Sequence, residues 1–135
     1  MKFSELAPKY FNEGFSCSEA IAKSAVDMGL ADESFISIAT SFSGGMSSGC
    51  LCGAVAGSQM VLGLLHGKYQ DNCARSLAKE FYQRFTKTHK VACCKILSAG
   101  FQDFAGAERK KHCTNLVYDC AVILDEMLSE IKEQV

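Results

Sequence analysis

Long apolar runs, surplus charge and proline are all scarce in this sequence, and each scarcity excludes something. The longest apolar stretch, 51–65, is broken by Ser58 and Gln59. It falls short of the roughly 20 residues that a membrane-spanning helix needs, so no membrane insertion is expected. Fourteen Lys and Arg stand against fifteen Asp and Glu, a net charge of −1. That balance favours neither a nucleic-acid backbone nor an anionic lipid surface as partner. Ser4, Glu5 and Lys9 interrupt the first ten residues, which leaves no apolar core for a signal peptide there. The chain is therefore expected to be soluble and cytoplasmic. There is a single proline, Pro8, and no low-complexity segment or internal repeat. No Ser-His-Asp order, nucleotide-binding loop or zinc-hydrolase signature is present. The glycine-rich stretch 44–53 lacks the lysine and hydroxyl residue of a phosphate-binding loop.

What is present in excess is cysteine. Eight of the 135 residues are cysteines, at positions 17, 50, 52, 73, 93, 94, 113 and 120. With 48% apolar and 21% charged residues, the composition is that of a single globular domain over 1–135 with an adequate core. Such a domain has no need of a secreted disulfide framework. In a reducing compartment this cysteine density means metal binding, redox chemistry, or small buried hydrophobes.

Apolar periodicity predicts an all-α bundle of about five long helices plus one or two short ones. A first helix is expected over 4–12, with Phe3, Leu6, Tyr10 and Phe11 inward. A second starts at a capping box, Ser16-Cys17-Ser18-Glu19, in which the serine caps the third amide and the glutamate reaches back. Cys17, Ala20, Ile21, Ser24 and Met28 then share one face. A shorter helix is expected over 32–42 with Asp32 as cap. The central helix, about 51–66, is apolar almost all round and therefore buried. Asp71 caps a helix reaching His89, with Cys73, Leu77, Phe81 and Phe85 inside. Cys94 opens a short segment to Leu97, and 101–106 reads as loop. The last helix, about 108–132, carries an inner stripe from Cys113 through Cys120 to Ile131.

The chain is organised around the stretch 44–57, where a glycine loop runs into the central helix. Gly49, Gly53 and Gly57 recur every four residues and predict a smooth stripe for a neighbouring helix. Glycine inside a helix costs about 1 kcal/mol against alanine, which close approach offsets. Cys17, Cys52, Cys94 and Cys113 each fall in the first turn or two of a predicted helix. Unpaired amides and the positive end of the peptide dipoles gather there, an environment that favours thiolate, the form that attacks disulfides and binds metals. Cys120 and Cys73 lie deeper on core faces and read as structural. Cys50 forms a Cys-x-Cys pair with Cys52. Cys93 adjoins Cys94, and a disulfide between adjacent cysteines strains the peptide bond between them; both Cys50 and Cys93 are auxiliary. His112 adjoins Cys113 and would lower its thiol pKa when charged. His66 and His89 fall near helix C-termini, where positive charge is favourable.

Gly14-Phe15-Ser16-Cys17, the Cys52-Gly53-Ala54-Val55-Ala56-Gly57 block, Cys94-Lys95-Ile96-Leu97 and Cys113 followed by Leu116-Val117 resemble the C_GCAxxG_C_C family. The resemblance covers nearly the whole chain. It implies redox activity without naming a reaction, and it maps the family's cysteines onto Cys17, Cys52, Cys94 and Cys113. Cys50, Cys73, Cys93 and Cys120 are extra to that pattern.

Two chemistries stay open. In one, a pair among the four cysteines cycles between dithiol and disulfide, or passes electrons, with an oxidoreductase or electron-carrier protein as partner. In the other, the same four thiolates hold zinc or an iron–sulfur cluster. A helical binding module without chemistry is the third reading. The glycine stripe equally suits a second subunit, so a homo-oligomer is open as well.

Overall fold

A computed structural model of the chain describes residues 1–69, 74–100 and 106–134. Seven α-helices follow in order: α1 (Phe3–Asn12), α2 (Cys17–Asp27), α3 (Ser34–Thr40), α4 (Gly53–Tyr69), α5 (Ala74–His89), α6 (Cys94–Leu97) and α7 (Ala107–Gln134). A tight turn over Gly45–Gly49 separates α3 from α4. The fold is an all-α bundle, and no strand occurs among the described residues. The Asp71 cap, Cys73 and most of the 101–106 segment lie outside the described residues.

The helices form where the apolar spacing puts them and bury the faces that it marks. Phe3, Phe81, Phe85, Ile21, Leu62, Leu65, Leu124 and Met127 are all fully buried in one core. Burying such side chains stabilises by about 1.5–3 kcal/mol each relative to exposure. α4 has buried residues round most of its circumference in the first half, including Ala54, Val55, Val61 and Leu62. It packs against α2, α5 and α7.

Helix ends show where neighbours decide. α2 starts as its capping box dictates: Ser16 Oγ accepts from Glu19 N and Glu19 Oε1 accepts from Ser16 N. The start of α1 is capped from a distance. Asp125, on α7, accepts hydrogen bonds from Phe3 N at 2.8 Å and Ser4 N at 3.0 Å, so α1 is tied to the last helix through its orphan amides. On α1 the buried residues are Phe3, Ala7 and Phe11. Tyr10, expected inside, is half-buried and donates its hydroxyl to Asp27. α3 runs from Ser34, and just ahead of it the Asp32 carboxylate accepts from Ser34 N, two residues on, as a capping side chain does.

α4 starts two residues later than the apolar pattern predicts. Cys52 N donates to Ala92 O at 2.7 Å and Cys94 N donates to Cys50 O at 2.5 Å, an antiparallel bridge centred on Leu51 and Cys93. With the Cys52 amide committed to that pairing, Leu51 stays extended. Cys52 becomes the cap, its carbonyl accepting from Ala56 N.

Candidate functional site: a four-cysteine pocket

Cys17 is the first residue of α2, Cys52 caps α4, Cys94 is the first residue of α6, and Cys113 lies in the second turn of α7. Four elements far apart along the chain thus deliver one sulfur each. All four line a single cavity of about 200 Å³, together with Phe11, Ser16, Gly44, Gly53, Ala54, Leu97, Ser98, Arg109 and Leu116. Its walls are mostly apolar, and one guanidinium reaches in, Arg109 Nη2 standing 4.0 Å from Cys94 Sγ.

Glycine makes the convergence geometrically feasible. A Cβ on Gly53 would collide with Cys17 Sγ and would stand 3.0 Å from Phe42 O; one on Gly57 would stand 3.1 Å from Ser18 O. The Gly53–Gly57 face of α4 therefore lets α2 approach until Cys17 lies over the start of α4, beside Cys52. Gly49 does not belong to that stripe. It sits outside α4 with φ +71°, and the side chain nearest to its Cβ position is Lys95.

The turn before α4 is held in an unusual conformation. Gly44, Gly45, Met46 and Ser47 all have positive φ, and for Met46 and Ser47 that left-handed backbone costs of order 1–3 kcal/mol each. At Gly45 there is no room for a side chain: a Cβ would meet Cys50 N at 2.6 Å, Cys50 O at 2.9 Å and Cys94 Cβ at 2.9 Å. The loop folds back onto the Cys50–Cys94 pairing and puts Gly44 into the pocket wall.

The electrostatics depart from the expectation drawn from helix ends. The amides of Ala54 and Val55 do favour the Cys52 thiolate, and those of Gly44 and Ser18 favour that of Cys17. Burial outweighs them. It pushes the Cys52 thiol up to about 12 and raises Cys17 and Cys113 as well. An anion loses more by leaving water than a few oriented amides return. A charge on Cys94 raises each of the other three thiols, which puts Cys94 within electrostatic reach of all of them.

His112 adjoins Cys113 on α7. Its Nε2 lies 2.9 Å from Leu97 O, linking α7 to the end of α6. The cations that favour the Cys113 thiolate are Arg109 first and Lys110 second. Arg109 is the pocket residue that sequence reasoning overlooked, although its spacing of four from Cys113 places both on one helical face. His89 is paired with Asp119 at 2.8 Å rather than left at a bare helix end, and the His66 side chain lies outside the described residues.

The remaining cysteines sort by depth. Cys120 is fully buried and its thiol is pushed well above the ordinary value by burial. Cys50 is exposed and Cys93 half-buried, and neither lines the pocket. All seven described cysteines are free thiols. Among the described residues, no three His, Cys, Asp or Glu side chains are arranged to hold one metal ion. No described helix is long and apolar enough to cross a membrane.

The family model described as "Putative redox-active protein (C_GCAxxG_C_C)" matches residues 15–127, and the chain belongs to that family. No curated protein and no solved structure matches it.

Proposed function

We propose that the protein is a thiol–disulfide redox protein in which a pair among Cys17, Cys52, Cys94 and Cys113 cycles between dithiol and disulfide. What supports this reading is that these four sulfurs, and no other described cysteine, line one cavity. One thiolate attacks a disulfide, a second thiol resolves the mixed disulfide, and two electrons and two protons are exchanged. The partner is an oxidoreductase or electron-carrier protein of a reducing compartment. Raised thiol pKa values make the resting dithiol unreactive toward stray oxidants, because only thiolate attacks. Arg109 is the positioning residue that offsets burial at Cys113.

The zinc or iron–sulfur alternative asks for three or four ligands round one point, and the described side chains are not so arranged. Thiol counting on a fresh anaerobic preparation separates the two. Free thiols are expected to fall by at least two between reductant and mild oxidant, without stoichiometric zinc or iron. Serine at the two members of the pair removes a two-thiol change, whereas Cys120→Ala leaves it intact. Stoichiometric metal, or a thiol count that oxidant does not alter, contradicts the proposal.

A further inference from the structure

The redox pocket has an access problem. Cys52 and Cys94 are buried, and Cys17 and Cys113 are half-buried among the walls of a small cavity. A partner protein's sulfur must approach its target in line with the bond being broken, which such walls obstruct. One described cysteine is exposed to solvent, Cys50.

Cys50 occupies a defined place between the pocket and the surface. Its carbonyl accepts from Cys94 N across the bridge, which sets it opposite Cys94 in the pairing. Cys94 Cβ and the Cys50 backbone lie within 3 Å of one common point, the place a Cβ on Gly45 would take. On the other side, Cys93 Sγ lies 3.4 Å from Gly49 O, on the peptide that leads into Cys50. Cys50 and Cys94 thus flank the Leu51–Cys93 pair and are joined by one backbone hydrogen bond. Cys50 N donates to Gly45 O at 2.9 Å, which ties Cys50 to the positive-φ turn.

We infer that Cys50 and Cys93 form an outer dithiol that relays electrons between a dithiol oxidoreductase and the pocket. The inference rests on the redox reading of the four pocket cysteines. In the relay, the Cys50 thiolate attacks Cys94 Sγ of a pocket disulfide such as Cys17–Cys94. A Cys50–Cys94 bond forms, and Cys17 leaves as thiolate and takes a proton. The Cys93 thiolate then attacks Cys50 Sγ, closing Cys50–Cys93 and freeing Cys94, which is protonated in turn. The pocket gains two electrons and two protons, and the outer pair loses them. The external dithiol reduces Cys50–Cys93 by the same two exchanges and ends as its own disulfide.

The test uses the full chain, oxidised mildly and then mixed with reduced thioredoxin, a dithiol oxidoreductase. Reduction of the pocket disulfide is followed by acid quench, thiol alkylation and peptide mass spectrometry. Cys50→Ser is expected to slow that reduction at least tenfold. Cys93→Ser is expected to accumulate a Cys50–Cys94 cross-link, located by fragment ions between Cys50 and Cys52. Cys50→Ala, with helix content checked, separates loss of the thiol from loss of the fold. If the pocket disulfide forms and Cys50→Ser and Cys50→Ala reduce it at the unaltered rate, the relay is wrong while the pocket reading stands. If no pocket disulfide forms in the unaltered protein, both fall.

Discussion

Cys52→Ala is expected to lose much less stability than the unaltered protein as the pH is raised from 9 to 12. Burial holds the Cys52 thiol protonated to about 12 in the fold, against an ordinary value of 9.0. Between those limits the unfolded chain has given up its proton and the folded chain has not. The unfolded state then binds fewer protons, so stability falls with rising pH, by about 1.4 kcal/mol per pH unit for one group. The contribution is complete below pH 9 and gone above 12, on the order of 4 kcal/mol in all. Cys17, Cys113 and Cys120 are raised too, and their share of the alkaline loss remains in the variant. Denaturant unfolding under reductant at several alkaline pH values reads the difference directly: the two stability curves converge as pH rises. Parallel curves would mean that the Cys52 sulfur is wetter than its burial implies.

The second large effect concerns Gly53. Alanine in place of glycine normally strengthens a helix by about 1 kcal/mol. Here the added methyl meets Cys17 Sγ on one side and stands 3.0 Å from the Phe42 carbonyl on the other. The sulfur has one torsion with which to escape, and the carbonyl belongs to backbone that also accepts from Met46 N. Overpacking of this kind costs about 1–3 kcal/mol, so Gly53→Ala is expected to destabilise and to lower the melting temperature by several degrees. Gly63→Ala, on the same helix with nothing within 4 Å of its Cβ position, is expected to hold or gain stability. A stabilised Gly53→Ala would show that α2 and α4 are not in close contact at Cys17.

The contrast between those two glycines shows what sequence reasoning reaches. Spacing at 53 and 57 predicts a close helix approach, and that approach exists. The same spacing extended to 49 fails, because helical phase has no meaning once the backbone of the preceding turn is left-handed. In that turn Gly45 is crowded by the Cys50 backbone and by Cys94 Cβ, and Cys94 is forty-nine residues away, a proximity that no local pattern encodes. Helix positions, the capping box at Ser16 and the four cysteines of the site are all legible, since they rest on periodicity and on residue type. The late start of α4 is not, because the amide of Cys52 is claimed by Ala92 from a distant segment.

The reading of the thiols shows a second kind of limit. A cysteine at a helix start suggests thiolate, and the amides are indeed in position around Cys17 and Cys52. Whether they prevail depends on how much water the rest of the fold excludes. Phe11, Leu97 and Leu116 line the pocket from three different helices or helix ends, and burial of the thiols there outweighs the helix termini. Arg109 was hidden for a related reason, since an arginine on a helix usually faces solvent. Only the placement of α7 against α6 turns it toward Cys94.

The account stands on four sulfur atoms sharing one cavity, and disulfide mapping of the mildly oxidised protein tests that most directly. After limited oxidation, alkylation and digestion, the predicted intramolecular cross-links join residues 17, 52, 94 and 113 to one another, with 50 and 93 as the outer pair. Cross-links that instead engage Cys120, or none within the chain under conditions that oxidise free thiols, would contradict it.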